Sequence, residues 1–133
     1  MNNPLIGKTV VKVEISTDDQ ALRFTCSDGT TQVAVCYADC CSHTWIEYVE
    51  SPENLLGTVR SVEDLTLKPG EDNDDGDYEQ FYGCKIYTDK GYCLIDYRNE
   101  SNGYYGGDLQ WGEDKYMPDE DWDWRVLIQQ QEV

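Results

Sequence analysis

The chain has 133 residues, 39% of them hydrophobic, which fits one compact domain able to bury about two thirds of its unfolded surface. Twenty-seven acidic residues against ten basic ones give a net charge of -17, a balance that excludes nucleic acid and anionic membrane surfaces as favoured partners. No stretch approaches eighteen apolar residues, and the opening "MNNPLIGK" lacks a charged segment followed by an apolar run, so a soluble, cytoplasmic protein is expected, with its six cysteines as reduced thiols or metal ligands.

In chain order, apolar residues alternate at Val11, Val13 and Ile15, and again at Leu22, Phe24 and Cys26 after an acidic turn at Asp18-Asp19. Asp28-Gly29 then reads as a two-residue hairpin loop, followed by alternation at Thr31, Val33 and Val35. The first turn pairs Ile15 with Leu22 and Val13 with Phe24. The second pairs Phe24 with Val33 and Leu22 with Val35, which puts Val33 and Val35 on the apolar face and Cys36 on the opposite one.

"TWIEYVE" reads as a further strand, and "SPENLLG" as a short helix capped by Ser51, with Pro52 in its first turn and Gly57 at its end. A strand over Val59 to Leu67 is then interrupted at Pro69-Gly70 by an acidic loop, 69–79, in which residues 71 to 79 carry six acids and no base. Two strands joined at Asp89-Lys90-Gly91, read as a type I turn with a glycine bulge, place Cys84 and Cys93 on opposite faces. "NESNGYYGGD" reads as a turn cluster, and an acidic segment, 113–124, leads into a closing strand at "WDWRVLIQ". The expected fold is mainly β (α+β): one domain, 1–133, with an antiparallel sheet of about six to eight strands that begins as a three-stranded meander, and one short helix.

"CYADCCSH", residues 36 to 43, concentrates three of the six cysteines and the single histidine. Zinc favours thiolate and imidazole in tetrahedral array, so Cys36, Cys40 and His43 form a candidate zinc set with Cys41 and Asp39 as spare ligands; the usual second pair of ligands is missing. Redox or nucleophilic chemistry fits less well, because acidic surroundings raise a thiol's pKa where a reactive thiolate needs it lowered. The 71 to 79 run lacks the terminal glutamate and flanking helices of a calcium loop, and no catalytic constellation assembles. Ten tyrosines and four tryptophans, many beside acids, suit either a thin aromatic core or an interface with a basic partner.

The segments "LIGKTV...VEIS", "L.FTCSDG", "ADCCS...IE", "LLG", "TDKGY" and "RNESNGYYG", over roughly residues 5 to 112, resemble a domain-of-unknown-function family that recurs in bacteriophage genomes. The resemblance rests mainly on Asp39-Cys40-Cys41 and on Ser101 to Tyr105. It implies a phage source, action in the cytoplasm of the host bacterium, and no assigned activity. A small acidic phage protein without catalytic signatures fits an inhibitor that occupies the basic, nucleic-acid-holding surface of a host defence or replication enzyme, as an anti-CRISPR-like nucleic-acid mimic does. The residues expected to make that contact are Asp72, Asp74, Asp75 and Asp77, with Glu120, Asp121 and Asp123. The alternative is a zinc-stabilised interaction module or small-ligand binder built on Cys36 to His43.

Overall fold

A computed structural model of the chain describes residues 3–38, 42–74, 76–101, 106–113 and 122–131. It is mainly β, with nine strands among the described residues: β1 Val10–Ser16, β2 Ala21–Cys26, β3 Thr31–Ala38, β4 Ser42–Glu50, β5 Val59–Asp72, β6 Tyr78–Thr88, β7 Gly91–Ser101, β8 Gly107–Glu113 and β9 Trp124–Gln129. They form two antiparallel sheets, a five-stranded one ordered β8-β3-β2-β1-β9 and a four-stranded one ordered β4-β7-β6-β5. The stretch 99–108 that reads as a turn cluster is entered by strand from both sides, since β7 runs to Ser101 and β8 begins at Gly107, and β5 runs straight through Pro69-Gly70 rather than stopping there. It does so by bulging twice, between Thr66 and Lys68 and between Lys68 and Glu71, and continues to Asp72, with β6 starting at Tyr78.

The short helix is a single 3-10 turn, Pro52–Leu55. Ser51 makes no side-chain cap; it sits at φ 56° and delivers Pro52 into the first turn. The turn buries Leu55 completely, and the Thr88 hydroxyl donates to the Asn54 carbonyl, so this corner is tied to the β6–β7 hairpin.

One contiguous apolar cluster draws on both sheets: Val13, Ile15, Leu22, Phe24 and Ala34 from the five-stranded sheet, and Ile46, Cys84, Ile86, Cys93 and Ile95 from the four-stranded one. The β1–β2 register is the expected one, with Ile15 opposite Leu22 and Val13 opposite Phe24. The β2–β3 register is one residue away from expectation, since Phe24 faces Gln32 and Leu22 faces Ala34. The cause is the turn. Ser27-Asp28-Gly29 is a three-residue loop, closed by Gly29 N–H donating to the Cys26 carbonyl, with Gly29 at φ 86°. The odd count rotates β3, so Gln32, Ala34 and Cys36 take the core face.

The β6–β7 hairpin errs the other way. Asp89-Lys90 is a two-residue loop with Thr88 opposite Gly91, which sets Cys84 against Ile95 and Ile86 against Cys93. The two thiols therefore share the core face instead of opposing it, and both remain free.

Burial pushes the Cys84 thiol from 9.0 up to about 12, helped by the charge of Asp64, and pushes the Cys93 thiol to about 12, helped by Glu53 and Glu50. In the unfolded chain both ionise near 9.0. Their contribution to stability is whole below that pH and is lost as the pH rises towards 12, at roughly 1.4 kcal/mol per pH unit for each thiol. Urea unfolding followed by circular dichroism between pH 8 and 12 should show a midpoint that falls above about pH 9. Cys93→Ala is expected to make that fall shallower; an unchanged slope would contradict the linkage.

Candidate interaction surface

The end of the β5–β6 hairpin is built around Asn73. Its N–H donates to the Asp77 carbonyl at 2.8 Å, its Oδ1 accepts from the Asp77 N–H at 3.0 Å, and Gly76 turns the chain at φ 82°. Asp72 and Asp74 are exposed beside it and Asp77 is half-buried, whereas Asp75 lies outside the described residues. Asp123 is exposed just before β9, its carbonyl accepting from the Thr17 N–H; Glu120 and Asp121 lie outside the described residues. The hairpin end belongs to the four-stranded sheet, whereas Asp123 adjoins an edge of the other, so Asp123 stands on a different sheet from Asp72, Asp74 and Asp77.

The sequence did not reveal a row of carboxylates next to the hairpin end. Glu71 pairs with Glu79, Glu79 with Glu100, and Glu100 with His43, across all four strands of one sheet. Cys84, Ile86, Cys93 and Ile95 mark the inner face, so period two puts this row on the outer face. Like charges directly opposite are destabilising. Two cations offset them: Arg98 lies 3.9 Å from Glu79, 3.9 Å from Glu47 and 3.4 Å from Asp96, and Lys68 lies 3.5 Å from Glu71. Both also cover the ring of Phe81, at 4.2 Å for Lys68 and 5.0 Å for Arg98.

Aromatic rings share that outer face. Tyr48 is 63% exposed and Tyr92 44%, Lys85 sits 4.1 Å over the Tyr92 ring, and the Trp45 indole donates to Glu47 at 2.8 Å. Rings beside carboxylates match the composition of protein-binding surfaces, where the rings supply buried area and the charges supply steering. Only the strand registers reveal the grouping, because its members come from four segments spread over residues 43 to 100.

The zinc candidates are placed as follows. Cys36 packs against the core from β3, and burial, with the charges of Asp18 and Asp19, pushes its thiol up to about 12. His43 is exposed on β4 and stacks on Trp45 at 5.4 Å. The two face different surroundings, and among the described residues no group of three or more ligating side chains gathers. Asp39, Cys40 and Cys41 lie outside the described residues.

The inner face of the four-stranded sheet turns polar at one end. Asn99 is fully buried; its Nδ2 donates to Thr44 Oγ1 at 2.9 Å and to Ser42 Oγ at 3.1 Å, while its Oδ1 has no partner among the described residues. Gln80, directly opposite Asn99, has a buried Oε1 that likewise has no partner among the described residues. Gly107 of β8 leaves no room for a Cβ beside the Thr44 hydroxyl and Asn99, so the two sheets approach closely here. Ala38 pairs with Gly107 and Ser42 with Ser101, so the end of β3 adjoins the start of β8 and the start of β4 adjoins the end of β7, although these are far apart in sequence.

A family model described as "Domain of unknown function (DUF7448)" matches residues 3–111. The chain belongs to this family. No curated protein and no solved structure matched it. The DUF7448 span takes in β1 to β7 and most of β8, including the outer-face carboxylate row and both sides of the close sheet approach. Asp123 and β9 lie beyond it.

Proposed function

We propose that this DUF7448 chain is a non-catalytic, phage-encoded binding protein that occupies the basic, nucleic-acid-holding surface of a host defence or replication enzyme. The observation that carries this reading is the outer-face row Glu71, Glu79 and Glu100, continued by exposed Asp72 and Asp74. Neighbouring strands stand about 4.8 Å apart, so a row of carboxylates across them offers a closely spaced line of negative charge, the property a phosphate backbone presents to lysines and arginines. Exposed Tyr48 and Tyr92 add apolar area on the same face. The phage source is supported by the resemblance carried by the Asp39-Cys40-Cys41 and Ser101 to Tyr105 stretches. The host target follows from charge, since a chain at -17 is drawn to basic surfaces and repelled by the polyanions they hold.

The test is a pull-down from bacterial lysate with the tagged chain. Capture of a nucleic-acid-binding protein is expected at low salt, with release by raised salt or added DNA. A variant carrying Glu71→Gln, Asp72→Asn, Asp74→Asn and Glu79→Gln should bind the captured protein at least about tenfold more weakly. Affinity indifferent to both salt and these substitutions would overturn the proposal.

A further inference from the structure

Between the edge strands β5 and β8 the two sheets leave a cavity of about 490 Å³. That volume lies within the range of about 300–1,000 Å³ usual for small-molecule sites. Leu109 and Trp111 line it from β8, Val62 from β5, and Ile6 stands at it 40% exposed. The Trp111 indole is held by stacking on Phe24 at 5.5 Å.

Among the described residues Asp64 is the one ionic side chain in this lining. It shares the inward phase of β5 with Val62 and stands opposite Cys84, and its charge reaches the buried Tyr97 hydroxyl, whose pKa is raised by burial first and by Asp64 next. Among the described residues it has no ion-pair partner.

We infer that this cavity binds a small apolar molecule carrying one ammonium group, with the ammonium on Asp64 and the apolar body against Trp111, Leu109 and Val62. The carboxylate and an indole face both attract an organic cation. A divalent metal would need several oxygen ligands, and among the described residues no group of three or more ligating side chains gathers here. The site is independent of the outer-face carboxylates, so failure of either proposal leaves the other standing.

Titration of the full chain with phenethylamine, followed at the Trp111 indole N–H resonance, is expected to give a saturable shift. 2-Phenylethanol, similar in size but uncharged, should bind about tenfold more weakly. Asp64→Asn is expected to reduce the amine to the affinity of the alcohol. Glu53→Gln removes an equal charge from an exposed position on the 3-10 turn and should leave amine binding unchanged. Equal weakening by both substitutions would reveal only general attraction to an acidic chain and overturn the assignment. Equal affinity for amine and alcohol, or no saturable shift at Trp111, would overturn it too.

Discussion

Replacing Phe24 with alanine is expected to destabilise the fold by about 3–5 kcal/mol, the range seen when a buried aromatic ring is truncated and its cavity only partly collapses. Phe24 is wholly buried on the middle strand of the five-stranded sheet and stacks on Trp111, so its loss loosens β8 as well as β2. Against a total stability of about 5–15 kcal/mol for a domain, that removes a large share of the folded population's margin. Urea unfolding measures it directly. Phe24→Leu, which keeps most of the volume, should cost less than about 1.5 kcal/mol; equal losses for the two variants would mean that the ring does not fill the core as described.

Arg23→Met should be nearly as damaging for a different reason. Glu14 is 7% exposed, and Arg23 grips it with two hydrogen bonds of 3.0 Å, Nε to Oε1 and Nη2 to Oε2. Lys12, 3.8 Å away, is the weaker partner. Removing the guanidinium leaves a largely buried carboxylate with only the more distant Lys12 to balance it, which costs about 3 kcal/mol, the low end for a broken buried pair. It also removes the stacking of Arg23 over Trp124, 4.4 Å from the ring centre, which helps hold β9. Adding Glu14→Gln to Arg23→Met is expected to recover about 1 kcal/mol or more, because the stranded charge goes with it. A double-mutant cycle by chemical denaturation reads this coupling; additive losses would show that the pair contributes nothing as a pair.

Alternation and turn signals along the chain located β1 to β4, the first part of β5, β6, β7 and β9. What alternation leaves open is how two strands meet. Asp28-Gly29 and Asp89-Lys90-Gly91 each suit loops of two or three residues, and the structure uses three at the first and two at the second. One residue in a loop exchanges the faces of everything beyond it. That is why Gln32 rather than Val33 faces Phe24, and why Cys84 and Cys93 are neighbours on one face.

The candidate surface was legible only in part. Local acid density drew attention to residues 71 to 79, and Asp72 and Asp74 are indeed exposed there. Glu100 escaped notice because its acidic neighbours are supplied by pairing with β6, not by its own segment. Asn99 and Gln80 carried no signal either. In sequence they look like ordinary surface amides, and the burial of Asn99 and of the Gln80 Oε1 follows from which face of each strand the registers turn inward.

The bulges of β5 bear on how copies of this chain behave towards one another. β5 is the longest strand and an open edge of its sheet, which would make a straight, neutral version of it a template for another molecule's strand. Its pairing slips three times along its length, and Arg60, Glu63, Asp64, Lys68, Glu71 and Asp72 distribute charge along this edge strand. An incoming strand meets a broken ladder and an acidic chain that repels its own kind. The irregular backbone around Pro69-Gly70 is thus a guard against fibre growth, placed on the edge that most needs one.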